Sequence, residues 1–169
     1  MRALSFLLLG LAALAPAAAQ EGCQPKEAAV LAALNAFRAQ PQACGERVWP
    51  AVAPLRANPL LAESARRYAL ELARRDRLEH VGAGGTSLRT RLREAGYLIR
   101  SAGENLAGGP ETLDEAMAQW LASPPHCENL MAPDFQEFGL VCVAGPGKLQ
   151  RYWVLHMAAP QKARSSPDR

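Results

Sequence analysis

Apolar residues recur at helical spacing in two stretches of the first half of the chain. Residues 26–39 form the first stretch, and Pro41 marks its end. The second stretch begins at Pro59, which suits a first helical position, and its apolar stripe continues over residues 59–77. Between the two stretches, residues 40–58 contain several prolines. The pattern therefore predicts two amphipathic helices joined by an irregular loop.

The middle of the chain alternates short periodic segments with glycine-rich ones. A short helix is predicted over residues 87–94, ended by Gly96. Residues 102–109 read AGENLAGG and predict an extended segment bounded by glycines. Thr112 and Glu115 then have the spacing of a capping box, in which each side chain satisfies a backbone N–H of the other residue. This pair predicts the start of a further helix.

The last third of the chain predicts an antiparallel strand pair. Residues 138–144 alternate between apolar and polar character, GPG supplies a turn, and residues 150–157 form the partner strand. About four helices and three short strands together predict an α+β domain, with helices packed on a small antiparallel sheet. Residues 161–169 are polar and predict a frayed tail.

The N-terminus has the layout of a secretory signal peptide. Arg2 precedes an apolar run over residues 3–14, and small residues at Ala17 and Ala19 suit a signal peptidase. The run is shorter than the roughly 20 residues that cross a bilayer, so we expect no transmembrane segment. We therefore predict a signal peptide over residues 1–19, cleaved near Ala19 or the next residue. The remainder, about 150 residues beginning with an N-terminal segment at 20–27, suits one domain.

Charge and location exclude some classes of partner. The whole chain carries 19 Lys and Arg against 16 Asp and Glu, a net charge of +3. Nucleic acid is not expected as a partner, because phosphate binding needs a clustered basic surface. The densest basic stretch, Arg89 to Arg93, has the spacing of a solvated helix face. Cys23 follows Glu21 and Gly22 and so lacks a lipobox, which predicts a released protein, secreted or periplasmic.

Four cysteines in an exported chain favour disulfides over free thiols. They are Cys23, Cys44, Cys127 and Cys142, and three connectivities are open. Chain order favours Cys23 with Cys44 and Cys127 with Cys142. Each of those pairs closes a local loop of about 15 to 20 residues, worth roughly 3 kcal/mol in the chain-entropy model.

The stretch SPPHCENLM, residues 123–131, places a histidine, a cysteine and a glutamate side by side. It could be a nucleophile with its base, part of a metal site or a disulfide anchor. Neighbouring residues on a helix point about 100° apart, so His126 is poorly placed to take the proton of Cys127. A disulfide would also remove the thiolate. We therefore disfavour a cysteine nucleophile, and we expect Glu128 only to complement the helix dipole.

Five blocks follow one another along the mature chain: LRANPLLAESARRYALELA, LEHVGAGGTSLRTRLREAGY, AGENLAGG, WLASPPHCENLMAPDFQEFGLVCV and YWVLHMA. In this order they resemble the CAP superfamily, the SCP-like extracellular domain of cysteine-rich secretory proteins, antigen 5 and plant pathogenesis-related 1 proteins. The resemblance is to the secreted bacterial form, with its S-P-x-H-x-x-N-(I/L)-(L/M) block, and covers residues 28–160. It implies a single α-β-α sandwich with a central cleft.

The resemblance also implies which residues line that cleft. By motif, His80 and His126 match the two histidines of the family, and Glu104 matches the glutamate of the G-E-N block. Asn105 belongs to the same block, where a buried amide ties the loop together. Ser123 stands where many eukaryotic members have a second glutamate. The implied metal ligands are His80, His126 and Glu104, for Zn²⁺ or another divalent ion, with no cofactor certain.

Three functions are compatible with this resemblance. The first is a secreted, monomeric module whose cleft binds a lipid, a peptide or a cell-envelope component. The second is a metal-dependent hydrolase, with Glu104 as base where it is not a ligand. The third is a disulfide-stabilised structural or interaction domain. We favour a binding module over an enzyme, because a zinc peptidase usually separates its ligand carboxylate from its general base and this chain lacks the second acidic residue.

The third histidine, His156, has no matching role in the family. Bacterial members often carry a glutamine where this chain has Leu155. On a strand, His156 points away from the side that Leu155 faces, and we predict a surface or edge position for it.

Overall fold

The computed structural model of the protein describes residues 22–161. The predicted signal peptide lies outside this range, as does the polar tail beyond its first residue. The helices are α1 (Glu27–Arg38), α2 (Pro59–Arg75), α3 (Leu88–Glu94), α4 (Leu113–Leu121) and α5 (Pro124–Met131), and the strands are β1 (Gln42–Cys44), β2 (Arg47–Trp49), β3 (Arg56–Ala57), β4 (Ile99–Gly108), β5 (Glu137–Ala144) and β6 (Arg151–Pro160). Over residues 22–161, none of the helices has the length and apolar character needed to cross a bilayer.

The main sheet has four strands in the order β3-β5-β6-β4. The predicted pair β5–β6 is antiparallel, and β4, the predicted AGENLAGG segment, pairs with β6 in the same sense. Strand β3 is an addition, and it runs parallel to β5, so the sheet is mixed. The predicted α+β class is confirmed, with five helices around this sheet.

Helices cover both faces of the sheet. On one face, α2 packs against alternate residues of β6, such as Tyr152 and Val154, and α3 packs against β4. On the other face, α1, α4 and α5 enclose the residues between them, such as Trp153 and Leu155. Residues 152–159 of β6 are therefore buried without interruption. This layering is the α-β-α sandwich.

Side chains fix both ends of α2. At the start, the Asn58 side chain accepts hydrogen bonds from the N–H groups of Leu60 and Leu61, with Pro59 at the first helical position. At the end, Asp76 takes a left-handed conformation with φ 49°. Its carboxylate accepts a hydrogen bond of 2.5 Å from the Tyr152 hydroxyl, which ties the helix end to β6.

The predicted capping box is present at the start of α4, with one of its two hydrogen bonds made to a neighbouring residue. Thr112 Oγ1 accepts a hydrogen bond from the N–H of Glu115 at 3.2 Å. The Glu115 carboxylate returns to the N–H of Glu111, one residue before the cap, at 2.6 Å. Two backbone N–H groups at the start of the helix thereby gain side-chain acceptors.

All four cysteines form disulfides, but the expected pairing is wrong. Cys23 is joined to Cys142 and Cys44 to Cys127, across 119 and 83 residues of chain. The N-terminal segment runs beside β5, where the Gln24 side chain accepts a hydrogen bond from the N–H of Cys142 at 2.8 Å. Short loops are the easier to close in an unfolded chain, but the finished packing sets the partners.

Candidate functional site

One open cleft brings together three of the predicted site residues. His80 lies in the connection after α2, Glu104 lies on β4, and His126 lies in the first turn of α5. All three line a cleft of about 450 Å³. Ser123 is the N-cap residue of α5 and is not among the described residues that line this cleft.

The cleft lies over β4, at one edge of the four-stranded sheet. Glu104 points to the face covered by α2 and α3, since Leu106, two residues on, packs against α2. Asn105 points to the opposite face, where its Nδ2 donates to the carbonyl of His126 at 3.0 Å. Adjacent residues of the G-E-N block thus reach the two helical layers, and Asn105 ties β4 to α5.

Three side chains donate hydrogen bonds to the buried carboxylate of Glu104. His80 Nδ1 donates to Oε1 at 2.8 Å, while Arg91 Nη2 and His156 Nε2 donate to Oε2 at 2.6 and 2.8 Å. The Glu104 side chain is 4 % exposed. Burial alone would raise its pKa, but the hydrogen bonds from His156 and His80 and the charge of Arg91 hold the pKa at about 2. Glu104 is therefore an ionised carboxylate at neutral pH.

The ionised carboxylate fixes the tautomers of both histidines, because it can only accept hydrogen bonds. His80 carries a proton on Nδ1, so in its neutral form the lone pair of Nε2 is free for the cleft. The hydrogen bond to Glu104 raises the pKa of His80. In His156, Nε2 carries the proton and Nδ1 is buried without a hydrogen-bond partner among residues 22–161. Burial lowers the pKa of His156, which keeps the ring neutral.

The pKa of the second histidine in the cleft is shifted in the opposite direction from that of His80. The pKa of His126 is lowered, first by burial and then by the nearby charge of His80. Asn129, also at the cleft, donates from Nδ2 to Asn105 Oδ1 at 3.0 Å. The cleft thus contains two imidazoles of different basicity. Hydrogen bonds from Asn105 to His126 and from Asn129 to Asn105 join β4 to α5 beside them.

The predicted surface or edge position of His156 is wrong. His156 is fully buried, and β6 lies between β5 and β4 with helices on both faces. Alternation separates core from solvent only where one face of a strand is exposed. The signal was present in the sequence, since the unbroken apolar run around His156 is typical of a strand covered on both faces.

The prediction of a solvated face from Arg89 to Arg93 fails at its middle residue. Arg91 is 7 % exposed, and its guanidinium lies over the ring of Tyr68 at 3.5 Å. The flanking Arg89 and Arg93 are exposed, as expected. Position 91 follows Leu88 by three residues, which places it on the inward face of α3 and could have indicated its burial.

The side chains of the cleft can be compared with the ligands that the predicted metal site requires. Over residues 22–161, no three His, Cys, Asp or Glu side chains are grouped so as to hold a metal ion. Both oxygens of Glu104 already accept hydrogen bonds, so this carboxylate does not fit as a free ligand. The donors left for an ion are Nε2 of His80 and the ring of His126. Glu104 as a third ligand stays a prediction.

Residues 31–157 match the cysteine-rich secretory protein family, CAP, and the chain belongs to this family. The uncharacterized protein YkwD of Bacillus subtilis is 27% identical over 95 residues. That match covers 56% of this chain and 37% of YkwD, so the chain spans little more than a third of that relative's length.

Two solved structures share the fold. An outer surface protein from Borrelia burgdorferi superposes with a TM-score of 0.68 at 19% identity, covering 83% of this chain and 99% of that one. An extracellular protein of Bacillus anthracis that contains a SCP domain gives 0.56 at 20% identity, covering 63% of this chain and 34% of that one. The described chain is thus a CAP domain with a buried cluster of histidine and glutamate at its cleft.

Proposed function

We propose that this CAP domain is an extracytoplasmic module that binds a ligand through His80 and His126. One observation carries the proposal: both imidazoles line an open cleft while Glu104 is held below them by three hydrogen bonds. A carboxylate so satisfied orients its neighbours and leaves the histidines to meet the ligand. The residues that line the cleft all come from one chain, and we propose that the domain acts as a monomer.

The walls of the cleft indicate the chemistry of the ligand. Apart from the imidazoles, Val81, Leu88, Ala102 and Pro125 supply apolar surface to the cleft, beside the polar Ser87 and Asn129. Apolar walls with a few polar groups are typical of small-ligand sites. This lining suits a lipid, a peptide or a cell-envelope component that places a hydrogen-bonding group between the histidines.

A divalent ion such as Zn²⁺ would be held by His80 and His126. When bound, the ion would supply a Lewis acid with open positions for a ligand group or water. Glu104 would act on the ion through His80, because a carboxylate behind a ligating histidine sets its tautomer and raises its basicity. Ser123 has no assigned part in this site.

Hydrolysis is the weaker proposal for this cleft. A general base works best with a pKa near the working pH. Glu104 has a pKa of about 2 and both of its oxygens accept hydrogen bonds, so it is a poor acceptor of a proton from water. We therefore propose binding as the activity, with Glu104 as an orienting residue.

The proposed location outside the cytoplasm rests on the disulfides. Cys23–Cys142 and Cys44–Cys127 join parts of the domain that are far apart in sequence, and such cross-links persist in oxidising compartments. The similar protein from Bacillus anthracis is described as extracellular. Secretion or a periplasmic location fits both observations.

Titration calorimetry with Zn²⁺ tests the metal-binding part of the proposal. We expect His80→Ala and His126→Ala to weaken Zn²⁺ binding at least about 10-fold relative to wild type. Glu128→Ala is the matched control, since Glu128 lies two positions after His126 on α5 and does not line the cleft. Equal affinity in wild type and His126→Ala would remove His126 from the site.

A retention experiment tests the ligand-binding part. Immobilised wild type, incubated with a cell-envelope extract, is expected to retain lipids or peptides that His80→Ala does not retain. A library of peptides and esters, offered to the Zn²⁺-loaded protein, is expected to stay intact. Turnover that disappears in His80→Ala would instead establish the hydrolase.

A further inference from the structure

We propose that Arg91 is the positioning residue of the cleft: it holds both the segment that carries His80 and the carboxylate that orients the His80 ring. The proposal rests on the function proposed above for the cleft. Arg91 itself does not line the cleft, so it acts on a ligand only through His80 and Glu104.

One guanidinium joins three parts of the chain. Arg91 Nη2 donates to Glu104 Oε2 on β4 at 2.6 Å. Both Nη atoms lie 3.3 Å from the carbonyl oxygen of His80, and Nη1 also donates to the carbonyl of Thr86 at 3.1 Å. The two carbonyls lie at the two ends of the segment 80–86. Arg91 therefore fixes this segment against the strand that carries Glu104.

A contact with the ring of Tyr68 holds the Arg91 guanidinium in place. The guanidinium lies over this ring, on α2, at 3.5 Å. The Tyr68 hydroxyl donates to the carbonyl of Glu79, the residue before His80. A desolvated contact between a cation and an aromatic ring is favourable, and here the ring also fixes the plane of the guanidinium.

The chemistry of this contact requires arginine. A planar fork can donate to a carboxylate and to two carbonyls in fixed directions, whereas a lysine ammonium is a point charge on a flexible stem. Without the fork, Glu104 loses a directed hydrogen bond and the carbonyl of His80 loses its donor. The His80 ring is then free to change its tautomer and its position relative to His126.

Nitrogen NMR of the His80 ring, without ligand and at mildly alkaline pH, tests the proposal directly. In the wild type we expect one tautomer, with the proton on Nδ1. In Arg91→Gln we expect a mixture of tautomers, and hydrogen exchange at Gly82, whose N–H donates to the carbonyl of Thr86, accelerated at least about 10-fold. Arg91→Lys should also give the mixture, since it keeps the charge but not the fork.

A second buried arginine supplies the control. Arg38 is fully buried and its guanidinium donates to the carbonyls of Ala53 and Leu130, without contact to His80. Arg38→Gln should lower the stability of the domain as Arg91→Gln does, yet leave the His80 tautomer as in wild type. A single wild-type tautomer in Arg91→Gln, with unchanged exchange at Gly82, overturns the proposal.

The wild-type chain also offers a test that needs no substitution. A guanidinium held by three acceptors rotates slowly, so separate Nη–H signals are expected for Arg91 and averaged ones for the exposed Arg89. Averaged Arg91 signals overturn the proposal even where Arg91→Gln fails to fold. Failure of the proposed function is distinguishable from failure of the Arg91 proposal. In that case the wild type binds neither Zn²⁺ nor envelope components, while substitution of Arg91 still changes the His80 tautomer.

Discussion

Glu104 and His156 face each other across neighbouring strands, and His156 Nε2 donates to Glu104 Oε2 at 2.8 Å. The pair lies inside the α-β-α sandwich, where an ionised carboxylate survives only with donors around it. His156 is thereby part of the support of the cleft, although it lies on the buried side of Glu104 and is not among the residues that line the cleft.

Replacing His156 by an apolar residue should destabilise the domain. His156→Leu leaves one oxygen of Glu104 with Arg91 as its remaining donor, and loss of a buried donor costs about 1–3 kcal/mol. His156→Gln retains an N–H donor and should cost less. Urea denaturation measures the difference. Equal stability of the two variants would show that the hydrogen bond from His156 contributes little.

The low pKa of Glu104 predicts a loss of stability in acid. Because the folded pKa, about 2, lies below the ordinary value of 4.5, the contribution is present above pH 4.5 and is lost as pH falls towards 2. The shift corresponds to roughly 3 kcal/mol. Unfolding free energies measured from pH 6 to pH 2.5 should fall more steeply in wild type than in Glu104→Gln.

The comparison with Glu104→Gln, and not the pH range by itself, isolates Glu104, because Glu63 and Asp76 also have lowered pKa values in the folded protein. The raised pKa of His80 adds stability below its ordinary value of 6.5 that is lost as pH rises through the folded pKa. The lowered pKa of His156 acts in the opposite sense, since the unfolded ring takes up a proton first. Parallel slopes for wild type and Glu104→Gln below pH 4.5 would contradict the assignment to Glu104.

A glycine allows α2 to lie directly on β5. A Cβ at Gly139 would come within 2.1 Å of the backbone nitrogen of Ala62, a contact that only a shift of the helix could relieve. Gly139→Ala should therefore lower the thermal midpoint, with a cost of about 1–3 kcal/mol or more. Gly22→Ala, where a Cβ meets nothing within 4 Å, is the control and should match wild type.

The sequence pattern predicted α1 to α4 and the strands β4 to β6, but it missed β1, β2 and β3, which lie in the stretch predicted as an irregular loop. Alternation failed within β6, where both faces are covered and the position of His156 cannot be deduced from it. The basic run, and not the periodicity, hid the burial of Arg91, since a charged residue among other charges is ordinarily solvated. Only the tertiary structure shows that Arg91 meets the buried Glu104, which offsets the cost of burying both charges.

The resemblance to the family supplied what spacing could not. Nothing in the sequence distances among His80, Glu104 and His126 shows that they share a cleft, and their grouping was implied by the motifs alone. For the disulfides, an argument from the sequence alone gave the wrong pairing. Local loop length favoured Cys127 with Cys142, but the β1–β2 hairpin packs on α5 and delivers Cys44 to Cys127.

The disulfide pairing itself can be checked by peptide mapping without reduction. We expect cross-linked fragments that contain Cys23 with Cys142 and Cys44 with Cys127. A fragment that joins Cys23 to Cys44 would contradict the fold, because it requires the N-terminal segment to leave β5.

The two disulfides should differ in their effect on the cleft. Both close long loops, so removing either pair should cost about 4–5 kcal/mol in the chain-entropy model. Cys44→Ala with Cys127→Ala frees the start of α5 from the β1–β2 hairpin, and Cys127 directly follows His126. We expect this double variant to bind Zn²⁺ more weakly than Cys23→Ala with Cys142→Ala, which serves as the control of similar stability loss. Calorimetry at a temperature where both variants are folded makes the comparison, and equal affinities would show that packing alone positions His126.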